Sequence, residues 1–342
     1  MNYRSEIKYI KPHQITIYAH EIDKSTFDNL ELVDDKIVLL STHLEGSYCS
    51  EVIDTLAFSK IIGSWSAITS KHATVELQIR VMVDGKWSKY LSYQPWGFGN
   101  KNSSLDSTDD IAKISIDEIL ILDHKLAQKF QYKIIMKRLN HLTPSPKLSL
   151  VSFALRIPKY SYKPNIDDLP KFMDYKVPML SQQTVQKIGS SLCSPTSIAM
   201  LLLYKGHDLY KDDDQPHKYI AKHVKDYEAN IYGNWVFNTV GISSYGEHAY
   251  VSMMYSIEEL MRHLVEIGPV VASVSGDMGL YQTKGHLMII RGYRINDDNE
   301  MFIIANDPNI NERFNNGLFV YYEYPIDTFI NVWKGIVYVI ES

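Results

Sequence analysis

The sequence predicts an α+β protein of two domains, and three observations support this prediction. The first half contains at least six short strand patterns and few helix signals, which is typical of an antiparallel β-sandwich or jelly roll. The second half combines helices with further strands, as in a helix packed on an antiparallel sheet. A proline-containing segment separates the halves, so we expect a β domain at residues 1–158, a linker at 159–176 and a second domain at 177–342.

Alternation of apolar and polar residues marks the strands of the first half. In the segment ATVELQIRVMV, Val75 and Leu77 point to one face and Glu76 and Gln78 to the other, which is the period of a half-buried strand. The Asp-Gly pair that follows predicts a hairpin turn, because glycine adopts the positive φ that a tight turn requires. Further strands are expected at residues 36–42, 63–69, 112–122, 130–139 and 147–157.

Two helices are predicted downstream of the linker. The first spans residues 194–206 and has Pro195 in its first turn, where the missing N–H does no harm. The second spans residues 256–268, and its Ser256 and Glu259 have the spacing of a capping box. Prolines favour an extended chain before these helices, and they lie at positions 158, 164, 170 and 178. Strands are expected at residues 269–275, 286–293, 300–307, 318–324 and 335–340.

Composition and charge narrow the class of protein. The formal net charge of -5 argues against a nucleic-acid partner, because phosphate binding normally requires a basic surface. No apolar run reaches the roughly 18 residues of a membrane span. The N-terminus lacks the apolar core of a signal peptide, so we expect a cytoplasmic location, with secretion by another route left open. Cys49 and Cys193 are not expected to pair there, and without Cys-x-x-Cys or His-Glu-x-x-His motifs we expect no metal or cofactor.

Cys193 stands at the start of the first predicted helix, a position that favours a reactive thiolate. The free N–H groups of a helix N-terminus stabilise negative charge, and a nearby imidazolium stabilises it further. His286 begins an apolar strand and Asp307 ends the next one, so a hairpin would bring the carboxylate to the ring. These three residues are candidates for nucleophile, base and orienting acid. The Cys193 N–H together with Gln182 or Gln183 is the candidate oxyanion donor.

Each candidate also has a purely structural interpretation. A free cysteine is often a small buried hydrophobe, a histidine at a strand start is often structural, and Asp-Pro favours a turn. The aromatic residues of the first half either fill a core or form a ligand-binding face: Trp65, Trp87, Tyr90, Tyr93 and Trp96. Cys49 and Trp235 are expected to be packed, and the acidic run at residues 211–217 to be a solvated loop. Surface or structural roles are expected for His207, His217, His223, His248 and His263.

Four motifs follow one another in the second half: VPMLSQ, CSPTSIAMLL, GHLMIIRGY and ANDP. In this combination the chain resembles the papain-like cysteine peptidases of family C thirty-nine, which include bacteriocin-processing peptidases that cut after a double-glycine leader. The resemblance is closer to stand-alone bacterial relatives, in which a β-rich module precedes the peptidase domain. It covers residues 176–341 and implies Gln182 as oxyanion donor, Cys193 as nucleophile, His286 as base and Asp307 as orienting acid.

The resemblance implies a thiol-dependent peptidase that acts on a peptide or protein substrate through an acyl-enzyme. A cell-wall amidase or acyltransferase would use the same triad, and an inactive scaffold would be a binding module with a carbohydrate or cell-wall ligand on its β domain. Two departures bear on the substrate. Many members have glycine where this chain has Ser194, and the eleven-residue gap from Gln182 to Cys193 is longer than in the leader-processing members.

Overall fold

The structure, a computed structural model, describes residues 11–210, 215–310 and 319–341 of the chain. Within these ranges it contains three antiparallel sheets and five α-helices, which confirms the predicted α+β class. The first half of the chain forms two of the sheets, and the second half forms the third sheet and the helices. Part of the predicted loop at 211–217 and the first residue of the predicted strand at 318–324 lie outside the described residues.

The strands of the first half pair into two sheets. In chain order they are β1 (Gln14–Tyr18), β2 (Phe27–Asp28), β3 (Leu30–Val33), β4 (Lys36–Leu39), β5 (Glu45–Cys49), β6 (Ile53–Phe58), β7 (Lys60–Ile68), β8 (Ala73–Val83), β9 (Lys86–Trp87), β10 (Leu91–Ser92), β11 (Ser107–Thr108), β12 (Ala112–Ser115), β13 (Glu118–Ile121), β14 (Ala127–Arg138) and β15 (Lys147–Arg156). The first sheet has the order β11-β12-β13-β7-β15-β4-β3, with β1 also on β15. The second has the order β10-β8-β14-β5-β2, with β6 on β14 and β9 on β8.

The two sheets pack face to face around one apolar core. Gly63 of β7 lies directly against β8, and a Cβ atom at this position would come within 2.6 Å of Ile79 and 2.8 Å of Leu77. Of the five aromatic residues in question, the buried ones are Trp65, Tyr93 and Trp96. Those three rings therefore fill the core instead of forming a ligand-binding face.

The segment predicted as one strand at residues 112–122 is instead a hairpin of β12 and β13. Its turn contains Ile116 with a φ of 57°, a conformation that β-branched residues rarely adopt. Because an isoleucine occupies this turn, the apolar pattern of residues 112–122 continues through it and does not reveal it. The next residue, Asp117, reaches the second half of the chain, where its Oδ2 accepts a hydrogen bond from the Trp235 N–H at 2.6 Å.

The second half packs its helices and a third sheet together. The helices are α1 (Cys193–Tyr204), α2 (Pro216–Val224), α3 (Trp235–Ser243), α4 (Ile257–Glu266) and α5 (Ile326–Val332). The strands are β16 (Phe172–Asp174), β17 (His248–Met253), β18 (Val270–Asp277), β19 (Gln282–Ile295), β20 (Met301–Asn306), β21 (Tyr321–Pro325) and β22 (Trp333–Glu341). The sheet order is β17-β22-β18-β19-β20-β21, with β16 on β19. Among the described residues, no helix is both long and apolar enough to cross a membrane.

The two predicted helices are present as α1 and α4, but the predicted capping box is only half formed. Ser256 Oγ accepts a hydrogen bond from the Glu259 N–H at 3.1 Å, as expected. The Glu259 carboxylate instead accepts from the Tyr255 N–H at 2.8 Å and lies 2.9 Å from the buried ring of His13. Glu259 therefore joins α4 to the first half of the chain, a role that local spacing does not reveal.

Two further features differ from the sequence predictions. The predicted strand at 286–293 is longer and begins at Gln282, so His286 lies inside β19 and not at its start. The segment predicted as a linker also contributes to the third sheet. Its Met173 pairs with Tyr293 and adds β16 beside β19.

Serine hydroxyls of β7 cover the free edge of β17. Ser66 Oγ donates to the Ala249 carbonyl at 2.7 Å and accepts from the Ala249 N–H at 2.8 Å. Ser64 Oγ accepts from the Val251 N–H at 3.0 Å. An edge strand otherwise exposes unpaired backbone groups, and here the first sheet satisfies them with side chains. The two halves are therefore joined by hydrogen bonds as well as by apolar packing.

Candidate active site

Cys193 is the first residue of α1, and the preceding Leu192 provides no side-chain cap for the helix. The N–H groups of the first turn therefore receive no side-chain cap from Leu192, and N–H groups at a helix start favour an anion. The thiol is free and half-buried, and it receives backbone hydrogen bonds from Leu287 and Ser194. Cys49, the other cysteine, is also free, so no disulfide joins the two.

Ser194 occupies a position where a hydroxyl has specific partners. It is fully buried, and its Oγ donates to Asn238 Oδ1 of α3 at 2.8 Å and lies 3.1 Å from the Tyr338 hydroxyl of β22. Asn238 in turn donates to the backbone carbonyl of Asn234 at 2.7 Å. Ser194 therefore holds helix α1 to α3 and β22.

His286 and Asp307 are brought together by the pairing of β19 and β20. Ile289 pairs with Asn306, so the residue after β20 lies beside the start of the buried part of β19. His286 Nε2 is 2.8 Å from Asp307 Oδ1, and both side chains are buried. His286 lines the same cleft as Cys193, and the two side chains interact electrostatically. Because Nε2 is occupied by the carboxylate, the other ring nitrogen is the one available to the thiol.

Two tyrosines support the carboxylate of Asp307. The hydroxyls of Tyr281 and Tyr324 each donate to Asp307 Oδ2 at 2.6 Å, and the Asn309 N–H donates to Oδ1 at 2.9 Å. Asp307 is completely buried, and a buried carboxylate is stable as an anion only when such donors surround it. Neither tyrosine is recognisable from the sequence, because single tyrosines in a chain with 24 of them have no distinguishing pattern.

The electrostatics of the three residues favour a thiolate and an imidazolium. For each of the three groups, burial is the largest single effect on the pKa, and it favours the neutral form. For His286 the charge of Asp307 and the hydrogen bond to it outweigh burial and raise the pKa to about 10. Burial raises the pKa of the Cys193 thiol, but the hydrogen bond and charge of His286 outweigh this and lower it. Burial also raises the pKa of Asp307, but the charge of His286 and the hydrogen bonds from His286, Tyr281 and Tyr324 lower it below its usual value.

Gln182 and Gln183 have different environments just before α1. Gln182 is 2% exposed, and its Oε1 has no hydrogen-bond partner among the described residues. Its N–H bonds to the Pro308 carbonyl at 3.0 Å, beside Asp307. Gln183 directs its Nε2 to Asn309 Oδ1 at 2.8 Å. The structure thus places Cys193 and His286 in one cleft and His286 in contact with Asp307, whereas neither glutamine side chain is bonded to these residues.

A cleft of about 550 Å³ opens beside Cys193 and His286. Trp235, which was expected in the core, is half-buried and lines this cleft as well as packing on the core. Cys49 lies elsewhere, with its Sγ 3.3 Å from the Tyr90 hydroxyl. The cleft-lining side chains do not include Gln182.

The other candidate histidines have partners outside the cleft. His207 is 2.7 Å from Glu247, His217 is 3.1 Å from the Thr184 hydroxyl, and His223 stacks on Phe98. His248 lies near the Tyr18 ring, and burial lowers the pKa of His263 to about 3. In the part of the chain that the structure describes, no group of three or more His, Cys, Asp or Glu side chains is arranged to hold a metal ion.

A helix that begins with cysteine and packs against an antiparallel sheet that carries a histidine and its carboxylate defines a cysteine peptidase fold. The second half of the chain belongs to the Peptidase_C39 like family, whose model matches residues 175–341. The model of the Peptidase C39 N-terminal domain matches residues 22–155. The sequence-based recognition of this family is therefore confirmed.

Comparison with individual proteins adds little to the family match. No curated protein matches the chain. A structure described as "Structural basis for the limited antibody cross reactivity between the mite allergens Blo t 1 and Der p 1" is 13% identical, with 53% of this chain and 75% of that chain covered and a TM-score of 0.30. A second, "Glycosylation Associate Protein (Gap123) complex from Streptococcus agalactiae", is 14% identical, with coverage of 49% and 33% and a TM-score of 0.20. At these TM-scores neither likeness carries an argument.

Proposed function

We propose that the protein is a cysteine peptidase that hydrolyses peptide bonds with Cys193, His286 and Asp307 as its catalytic triad. The observation that carries the proposal is the 2.8 Å contact between His286 Nε2 and Asp307 Oδ1, in a cleft that His286 lines together with Cys193. These three residues supply nucleophile, proton carrier and orienting anion, the parts that triad chemistry requires.

The first half of the reaction is acylation. The Cys193 thiolate attacks the scissile carbonyl carbon, forming a C–S bond and moving the carbonyl π electrons to oxygen. When this intermediate collapses, the C–N bond breaks and the His286 imidazolium gives its proton to the leaving amine. Cys193 is left as a thioester of the acyl part of the substrate, and His286 is neutral.

Hydrolysis of the thioester completes the cycle. His286 takes a proton from water as the water oxygen attacks the thioester carbonyl, and collapse then breaks the C–S bond. The products are a carboxylic acid, the Cys193 thiolate and the His286 imidazolium, so the resting pair is restored. The Cys193 N–H and the Gln182 amide are the proposed donors to both oxyanions, because the amide of Gln183 is already bonded to Asn309.

A peptide library tests this proposal. The full-length protein is incubated with fluorescence-quenched peptides of mixed sequence, and mass spectrometry of the quenched reaction detects an acyl group on Cys193. We expect cleavage and acylation by the wild type and by Cys49→Ala, and neither by Cys193→Ala. Cleavage that persists in Cys193→Ala refutes the assignment of the nucleophile.

The same assay separates the peptidase from its alternatives. Purified peptidoglycan in place of peptides tests cell-wall amide cleavage, and an added amine acceptor tests acyl transfer. Release of cell-wall fragments without cleavage of any library peptide contradicts the peptidase assignment. Absence of both reactions, with an unacylated Cys193, favours an inactive scaffold that binds its ligand.

A further inference from the structure

The cleft beside Cys193 contains side chains from both halves of the chain. Lys60 of β7, Glu118 of β13 and Arg156 of β15 line it together with residues of the second half. Within the first sheet β7 pairs with both β13 and β15, and Lys60 lies directly opposite Arg156 in the ladder. The first half therefore contributes an adjacent group of charged side chains to the cleft of the second half.

The charges that line the cleft are unbalanced. Among the described residues, the cations that line the cleft are Lys60, Arg156, Lys284 and Lys334, and Glu118 is the only carboxylate that lines it. Glu118 forms an ion pair with Lys60, which accounts for one charge of each sign. Across the described ranges, no carboxylate lies within ion-pair distance of the other three cations. These side chains give the cleft a formal charge of +3, although the whole chain carries -5.

Arg156 is held in place by the second half of the chain. Its Nη2 donates to the Lys334 carbonyl at 3.0 Å, and its guanidinium lies 5.8 Å from the centre of the Tyr255 ring. Neither contact neutralises its charge. Lys284 and Lys334 are exposed, and the Lys334 ammonium donates to the Asn331 carbonyl at 3.5 Å, which leaves its charge unneutralised. A positive cleft on an acidic protein concentrates anions, and a guanidinium is well shaped to bind a carboxylate.

We propose that this cleft selects peptide substrates that carry a carboxylate close to the scissile bond, and that Arg156, Lys284 and Lys334 are the selecting residues. The carboxylate is either an acidic side chain or the C-terminus of the substrate, which share the same chemistry. This inference rests on the proposed peptidase function. It also gives the first half of the chain a role in substrate selection, through Arg156.

Two alkylating agents of equal size and different charge test the inference without a known substrate. In both reactions the Cys193 thiolate displaces iodide, so a C–S bond forms as the C–I bond breaks. Iodoacetate is an anion and iodoacetamide is neutral. The ratio of their rate constants at Cys193 therefore reports the charge of the cleft, whereas the iodoacetamide rate alone reports the thiolate.

Each charge removed should lower the iodoacetate-to-iodoacetamide ratio by about two- to fourfold, as expected for unit charges several ångströms apart in a solvated cleft. The variants are Arg156→Gln, Lys284→Gln and Lys334→Gln, and added salt should reduce the wild-type ratio as well. Arg156→Lys keeps the charge and should restore most of the ratio, which separates charge from packing.

Two controls define the direction of the effect. Glu118→Gln removes the only carboxylate and should raise the ratio, opposite to the cation variants. Lys86→Gln removes an equal charge from an exposed residue of β9, in the second sheet, and should leave the ratio unchanged. An unchanged ratio in all of the cleft variants overturns the inference, even where iodoacetamide labels Cys193 rapidly.

Matched peptides identify the source of the carboxylate. We expect kcat/KM to be about tenfold higher for a peptide with glutamate near the scissile bond than for its glutamine counterpart, or for a free C-terminus than for its amide. Arg156→Gln should reduce whichever preference is found. Equal cleavage of all four peptides overturns the inference and leaves the peptidase proposal intact, whereas cleavage of none together with an unreactive Cys193 refutes the peptidase proposal.

Discussion

At the scale of single residues, the charge of Asp307 favours the charged form of His286, and so of Cys193, in the proposed triad. The carboxylate raises the pKa of His286 to about 10, and the resulting imidazolium lowers the pKa of Cys193. The ion pair therefore exists above the lowered thiol pKa and below the raised imidazole pKa. Activity should be lost at high pH as His286 loses its proton, and at low pH as Cys193 gains one.

The variant Asp307→Asn tests this dependence. Its amide oxygen would still accept the hydrogen bond from His286 but would carry no charge, so the pKa of His286 should fall and that of Cys193 should rise. We expect the pH–activity profile to narrow from both sides and kcat/KM to fall by about 10- to 100-fold. Rates measured from pH 4 to pH 10 provide the check, and an unchanged profile would show that the carboxylate does not set these pKa values.

The tyrosine hydroxyls on Asp307 give a second residue-scale prediction. Tyr281→Phe or Tyr324→Phe removes one of the two 2.6 Å donors to Oδ2, which leaves a buried carboxylate less well solvated. Each variant should lower the unfolding free energy by about 1–3 kcal/mol. It should also raise the pKa of Asp307, so that activity declines at a higher pH on the acid side. Tyr322→Phe, which alters a half-buried tyrosine of the same strand as Tyr324, is the matched control.

The sequence marks the candidate catalytic residues more clearly than the residues that surround them. Cys193, His286 and Asp307 each stand at a recognisable point of a short motif, so their order along the chain is informative. Tyr281 and the cleft residue Arg156 lie in segments with no such motif. Tyr281 lies in the turn that leads into β19, and Arg156 reaches the cleft through the packing of β15 of the first half against the second half. Neither placement is encoded locally in the sequence.

At the scale of elements, the hydrogen bonds between serine hydroxyls of β7 and the backbone of the edge strand β17 stabilise the fold. Ser66→Ala should leave both the N–H and the carbonyl of Ala249 unpaired in a buried interface, at a cost of about 1–3 kcal/mol. Ser47→Ala on β5 is the control, because Ser47 is half-buried and should change stability by less than about 0.5 kcal/mol. Urea unfolding of both variants tests the comparison, and equal losses would rule out the edge contribution.

Helix α3 illustrates why some elements escape prediction. Its sequence WVFNTVGIS has no polar face, because nearly every residue is buried between β7, β17 and α1. A helix with apolar residues on all sides lacks the 3.6-residue period that identifies amphipathic helices. By contrast α4 has one exposed face and a capping serine, and both were recognisable in the sequence.

At the scale of the whole molecule, Asp117 connects the two halves and should make their association sensitive to pH. Burial raises the pKa of Asp117 to about 7 from an ordinary 3.8, although the Trp235 N–H opposes the shift. The folded protein therefore binds this proton more tightly than the unfolded chain. The corresponding stability is fully present below pH 3.8 and is lost as the pH rises through about 7.

Asp117→Asn should remove this pH dependence while keeping an acceptor for the Trp235 N–H. Relative to the variant, the wild type should lose up to about 1.4 kcal/mol of unfolding free energy for each pH unit between pH 5 and pH 7. Denaturant titrations of both proteins at these pH values measure the difference. A constant difference between the two proteins would mean that Asp117 does not titrate in this range.

The most direct test of the central claim is the pH dependence of Cys193 alkylation by iodoacetamide in the folded protein. An activated thiol paired with His286 should react at a rate that is already near its maximum well below pH 8.5, the region where an ordinary thiol ionises. Cys49 in the same sample provides the internal comparison and should react far more slowly near pH 6. If Cys193 reacts no faster than Cys49 across the whole range, the thiolate–imidazolium pair does not exist and the proposed mechanism is wrong.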